Sequence, residues 1–165
     1  RANKLAILQK AMSPTGFIAY KLEYLVKDLE AITNQYLVEM SDGRFQISFV
    51  LNSSDKLNVV IIDNGVEIDI ASLSNGELSR VNISTLLAIR KLMQGQSLNN
   101  VTTNLLILDE TIESIDADGK EKLIELLLSE EGLNTILISH GFNHPLLHQI
   151  HVEKNNGISK LAELW

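Results

Sequence analysis

The chain has 165 residues, 45% hydrophobic and 21% charged, and a formal net charge of −7; this predicts one domain, or a large piece of one, with a real core, and excludes intrinsic disorder. The acidic balance excludes a surface that, taken whole, binds nucleic acid non-specifically, although a local basic patch stays open. Disulfides and thiol catalysis are excluded by the lack of cysteine, which fits a cytoplasmic setting, and no signal peptide or apolar run near the ~20 residues of a membrane span is visible, so no membrane partner is expected.

The chain opens Arg1-Ala2-Asn3-Lys4 without an initiator methionine, which reads as a piece of something longer. Residues 1–12 suit a helix, with Leu5, Leu8 and Met12 at helical spacing, and Ser13-Pro14-Thr15-Gly16 is a break. From Phe17 to about Met40, Ile18, Leu22, Leu25, Leu29, Ile32, Tyr36 and Leu37 recur at intervals that mark one long amphipathic helix, either core or the root of a coiled coil. Ser41-Asp42-Gly43 is a turn. Alternating strands follow over Arg44–Leu51, Leu57–Asp63 and Val66–Ile70, with Asn64-Gly65 a type I′ hairpin signal between the last two.

Next stands Ser72-Leu73-Ser74-Asn75-Gly76-Glu77-Leu78-Ser79-Arg80, leading into a helical run from Val81 to Met93. Small polar residues ahead of a helix bring unpaired N–H groups and the positive dipole end together at Ser74 to Glu77, a site suited to phosphate. The competing reading is an ordinary N-cap with Glu77 in a capping box. Arg80, Arg90 and Lys91 on this helix are candidates for relaying state, or else residues of a solvated face.

After a polar loop from Gln94 to Thr103, the short apolar run Asn104–Leu108 reads as a strand buried on both faces, as in a parallel sheet. Asp109 and Glu110 follow at once. Ligands of open α/β sheets gather beyond the carboxyl ends of such strands, and a Mg²⁺ ion carried by phosphates would offset two adjacent buried acids. Alternatively the pair caps the next helix or makes surface ion pairs. A helix from about Ala117 to Ser129 and a second buried strand, Asn134–Ile138, complete a βαβ unit, which places His140 at the same sheet edge as the acids. Gln149–Lys154 and Ile158–Leu161, around Asn155-Asn156-Gly157, read as a closing hairpin.

Taken in order, these motifs resemble the carboxyl-terminal half of an ABC-type ATPase head. Leu73-Ser74-Asn75-Gly76-Glu77 looks like the signature motif, Leu105-Leu106-Ile107-Leu108-Asp109-Glu110 like the Walker B strand, Ser114-Ile115-Asp116 like the D-loop, and Ile138-Ser139-His140 like the switch histidine. Glu77 in the signature, and the long helix feeding Ser41-Asp42-Gly43-Arg44-Phe45, are similar to the SbcC-type ATPases of double-strand-break repair nucleases, relatives of SMC proteins. The departures are Asn75 for the first glycine of the usual pair, Thr111 for the proline after the acids, and Ile115 for the D-loop leucine; Asn tolerates left-handed backbone, so Asn75 need not destroy the loop.

The resemblance implies an α/β fold, mainly parallel sheet flanked by helices with antiparallel edge strands, in which residues 1–40 bring a coiled coil back into a head lobe spanning 41–165. It implies ATP and Mg²⁺ as ligands. Asp109 would help hold Mg²⁺ through water, Glu110 would be the general base, and His140 would bond the γ-phosphate. Ser74, Asn75, Gly76 and Glu77 would form the signature that clamps ATP on the opposite head of a homodimer, with Ser114 and Asp116 coupling the two sites. No G-x-x-x-x-G-K-[ST] loop occurs in the chain, so an amino-terminal phosphate-loop lobe is an expected partner, as are a metallo-nuclease subunit and double-stranded DNA. The alternatives are the same lobe from an SMC- or RecN-like chromosome-organising protein, a transporter nucleotide-binding subunit, and a purely structural dimerisation module.

Overall fold

The computed structural model describes residues 4–5, 11–13, 16–17, 19–51, 57–95 and 104–162. The helix expected over residues 1–12 and the polar loop before Asn104 lie largely outside them. Helix α1 spans Ala19–Ser41. Its apolar stripe is covered only toward its end, where Thr33, Tyr36, Leu37, Met40 and Ser41 are buried; Tyr20, Leu22 and Tyr24 stay exposed. Asp42 (φ 53°) and Gly43 (φ 74°) then turn the chain in the left-handed region, returning it along the helix as a strand.

That strand, β1 (Phe45–Leu51), pairs antiparallel with β2 (Leu57–Asp63), which pairs with β3 (Val66–Ile68). Asn64 (φ 49°) and Gly65 (φ 84°) make the expected type I′ turn. The free edge of β1 is closed by α1. Asn34 donates Nδ2–H to the Ile47 carbonyl and accepts the Ile47 N–H, both at 2.8 Å. One turn earlier, Glu30 accepts the Phe49 N–H at 2.7 Å. These bonds satisfy strand groups that would otherwise invite pairing with another chain. Leu37, Phe45, Ile47, Ile61 and Val81 pack together behind this edge.

A 3₁₀ turn at Ile70–Ser72 is capped by Asp69, whose carboxylate accepts the Ala71 N–H at 2.8 Å. It ends the run expected as strand to Ile70. Helix α2 follows over Asn75–Gly95, so Asn75, Gly76 and Glu77 form its first turn rather than a loop before it. Strands β4 (Leu105–Asp109) and β5 (Asn134–Ile138) are parallel, joined through α3 (Ala117–Ser129). The hairpin β6 (Val152–Asn155) and β7 (Ile158–Leu161) closes the described chain. The α/β class holds; β4 and β5 are parallel, and the remaining described strands are antiparallel.

The main core lies between helices and one face of the parallel pair: Tyr36 and Met40 of α1, Ile83 and Leu87 of α2, Leu106 and Leu108 of β4, Leu123 and Leu126 of α3. The expectation that β4 is buried on both faces is corrected. Its residues alternate, with Leu105, Ile107 (55% exposed), Ile136 (49%) and Ile138 open on the far side. Among the described residues, helices cover one face only, whereas parallel sheets of α/β proteins are covered on both.

Candidate ATPase site

The register of the parallel pair sets Asp109 opposite Ile138, and the Glu110 N–H extends the ladder by donating to the Ile138 carbonyl at 2.9 Å. His140, two residues past Ile138, therefore reaches the acids. Its Nε2 lies 3.0 Å from Glu110 Oε1, and its backbone N–H donates to Glu113 Oε1 at 2.7 Å. Glu110 has φ 51°, which is unusual for a residue with a Cβ and costs backbone energy that the surrounding bonds must offset. Asp109 and Glu110 are exposed, so the anticipated desolvation cost is absent in this chain. Glu113 was not anticipated; an acid three residues beyond Glu110 was its only signal.

At the start of α2, Ser74 and Glu77 form a reciprocal capping box. Glu77 Oε2 accepts the Ser74 N–H at 2.9 Å and its hydroxyl at 2.8 Å, while Ser74 Oγ accepts the Glu77 N–H at 3.3 Å. The capping reading is therefore met, and the N–H groups of Asn75 and Gly76 remain first-turn donors without an intrahelical acceptor. Asn75 is not among the described residues with positive φ. Its tolerance of left-handed backbone is thus not why it replaces glycine: an ordinary helical position accepts it. Gly76 is different. A Cβ there would stand 2.8 Å from the Ser114 carbonyl oxygen, so only glycine lets the helix approach that loop.

The loop Glu110–Asp116 carries the third group. Ile112 and Ile115 are buried and anchor it to the core. Ser114 Oγ lies 2.7 Å from Ser79 Oγ. Asp116 caps α3, accepting the Gly119 N–H at 3.1 Å, and forms an ion pair with Arg80, which also donates to the Met40 carbonyl. Burial pushes the Asp116 carboxyl up, but the Gly119 N–H and Arg80 outweigh it and hold it below the usual aspartate range. Arg80 is 12% exposed and Arg90 11%, so the solvated-face reading fails for both; Lys91 is half-exposed. The Ser74–Arg80 and Ser114–Asp116 stretches thus touch within one chain, and the loop that carries the second runs back to Glu110.

Among the described residues no cluster of three or more His, Asp or Glu side chains forms a ready metal cage. A single carboxylate at a strand end fits Mg²⁺, which takes one or two carboxylates and completes its shell with phosphate and water. No described helix is long and apolar enough to cross a membrane.

No protein-family model matches the chain. It is 46% identical over 140 residues to the probable exonuclease subunit 2 of Escherichia phage T5, an alignment covering 85% of this chain and 22% of that protein. It is 24% identical over 105 residues to the DNA double-strand break repair Rad50 ATPase of Pyrococcus abyssi (strain GE5 / Orsay), covering 64% of this chain and 11% of that one. A structure from a study of ATP-driven dimerization and DNA-stimulated activation of SMC ATPases superposes with TM-score 0.69 at 16% identity, covering 88% of this chain and 89% of that one. The chain is a head lobe of SbcC- and SMC-like fold. It spans about a fifth of the length of the phage exonuclease subunits it matches. In this head lobe the four stretches meet as two contacting pairs: Glu110 with His140, and the first turns of α2 with Ser114 and Asp116.

Proposed function

We propose that the head lobe supplies the general base and the trans-acting signature of an ATP-hydrolysing head in a DNA repair or recombination nuclease complex. The observation that carries this reading is the meeting of Glu110 and His140, 3.0 Å apart, beyond the carboxyl ends of the one described parallel strand pair. The exonuclease-subunit names of the phage relatives and the Rad50 ATPase relative support the nuclease setting.

Asp109, exposed at the end of β4, would help hold Mg²⁺. The ion, when bound, neutralises charge on the transferring phosphoryl group. Glu110 orients the attacking water and takes its proton. His140 binds the γ-phosphate; a His140 ring that turns from Glu110 to phosphate frees Oε1 for water, which couples phosphate recognition to the base. Ser74, Asn75, Gly76 and Glu77 face ATP held by a second head, and Ser114 and Asp116 tie that contact to Glu110 through the loop between them. Little covalent chemistry is required, only positioning and charge stabilisation.

The open face of β4 and β5, with Leu105, Ile107, Ile136 and Ile138, is where a phosphate-loop lobe packs. In this scheme residues 1–40 carry the coiled coil back into the head. A nuclease subunit and double-stranded DNA read the difference between open and closed head dimers. The test is ATP turnover by the full-length protein with nuclease subunit and duplex DNA. Stimulated turnover that Glu110→Gln abolishes, with ATP-dependent dimerisation retained, is expected. Wild-type turnover in Glu110→Gln refutes the assignment of the base. Turnover that responds to duplex DNA but is indifferent to the nuclease subunit supports the chromosome-organising alternative.

A further inference from the structure

The signature of this lobe contains a problem that its neighbours solve. Glu77 lies in the first turn of α2, where the proposed reading seats a phosphate. The Ser74 N–H and hydroxyl, and then Arg44, hold its carboxyl below the usual glutamate range, so it is an anion at neutral pH. A carboxylate competes with phosphate for the same donors and repels it. A glutamine at this position would bring no such penalty.

Arg44, the residue before β1, answers that charge. Its Nη1 donates to Glu77 Oε1 at 2.7 Å. Its other edge is occupied: Nε and Nη2 donate to Asp63 Oδ1 and Oδ2 at 2.9 and 2.7 Å, a two-pronged pairing that fixes the guanidinium plane. The Asn64 side chain donates to Asp63 Oδ1 at 3.0 Å, and Arg44 stacks over Phe45, 4.3 Å from the ring centroid. The chain of contacts therefore runs from the β2–β3 turn through Asp63, Arg44 and Glu77 to the Ser74 hydroxyl. Arg44 is 47% exposed, so core packing does not explain so well-determined a position.

We propose that Arg44 is a positioning residue for ATP capture in trans: it neutralises Glu77 and holds its carboxylate on Ser74 and the β1 side, leaving the first-turn N–H groups of Asn75 and Gly76 to a phosphate. Asp63 serves by orienting Arg44. The inference rests on the proposed head function and adds to it the residue that lets a glutamate stand in the signature.

The test is a double-mutant cycle in the full-length protein, read as KM for ATP and as the ATP concentration that half-saturates head dimerisation. Arg44→Ala raises both by about three- to fivefold when Glu77 is present, with kcat little changed, and has less than about a 1.5-fold effect in the Glu77→Gln background. Arg44→Lys restores part of the loss, because it returns the charge without the fork. Circular dichroism on each variant separates these effects from misfolding. Equal effects of Arg44→Ala in both backgrounds, or a loss confined to folding, overturn the proposal while leaving the head function standing. A wild-type protein that neither binds nor hydrolyses ATP overturns the head function, and this inference with it.

Discussion

Replacing Gly76 by alanine sets two opposed effects against each other on one helix. Alanine is favoured over glycine inside a helix by about 1 kcal/mol, so propensity alone predicts a more stable chain. The new Cβ, however, would lie 2.8 Å from the Ser114 carbonyl oxygen. That neighbour is backbone, in a loop pinned by buried Ile112 and Ile115, and cannot swing aside as a side-chain tip can. Relief requires the D-loop to move by several tenths of an ångström, which also stretches the 2.7 Å contact between Ser79 and Ser114. Overpacking of this kind costs about 1–3 kcal/mol. The balance is a net loss of roughly 1 kcal/mol, or a fall of about 2–4 °C in Tm for a chain of this size. Gly95→Ala, at the other end of the same helix, is the control: nothing lies within 4 Å of its Cβ position, and a gain of about 0.4–1 kcal/mol is expected. Urea denaturation followed by circular dichroism measures both. A Gly76→Ala chain as stable as wild type, or more so, would show that helix α2 does not need its close approach to the D-loop.

Asp116 makes an acid-limb prediction. Its folded pKa is lowered, so its contribution to stability is complete above the ordinary aspartate range and is lost as pH falls through the lowered value; Asp116→Asn should flatten stability against pH in that window, measured as midpoints of denaturation from pH 2 to 6. Removal of the Tyr36 hydroxyl is expected to cost about 1 kcal/mol, since it donates to Glu130 Oε1 at 2.8 Å and joins α1 to the end of α3; an unchanged urea midpoint for Tyr36→Phe would sink that estimate. The same phenol, with its pKa raised by burial and by Glu130, should show no ionisation in an ultraviolet titration over the range where exposed tyrosines ionise.

The elements whose ends carry local chemistry were legible. Leucines at helical spacing marked α3 within Ala117–Ser129, Asn64-Gly65 marked a turn, and short apolar runs around a helix marked the parallel pair and so brought His140 to the sheet edge of Glu110. What failed to show depends on contacts distant in sequence. Arg44 finds Glu77 33 positions away and Asp63 19 away, and no periodicity announces either. Gly76 reads in sequence as part of a helix start, yet the reason it must be glycine is the Ser114 carbonyl oxygen 38 positions on. The open face of β4 was missed because an apolar run has the same sequence whether one face or both are covered within the chain.

Helix α2 is the part on which these contacts converge. Its first turn is bound to β1 through Glu77 and Arg44 and to the D-loop through Gly76 and Ser79. Arg80 bridges Asp116 and the Met40 carbonyl near the end of α1. Three turns on, Arg90 and Lys91 meet Glu130, which also receives the Tyr36 hydroxyl of α1. Helices α1 and α2 are thus fastened at two levels by polar bonds with the core between them, and close-packed interiors pass displacement on rather than absorbing it. With 23 residues at 1.5 Å each, α1 is about 35 Å long, and its first turns, with Tyr20, Leu22 and Tyr24 exposed, lie beyond the part that packs on the core. The first turn of α2 is thus coupled to the end of α1 through hydrogen-bonded and packed neighbours.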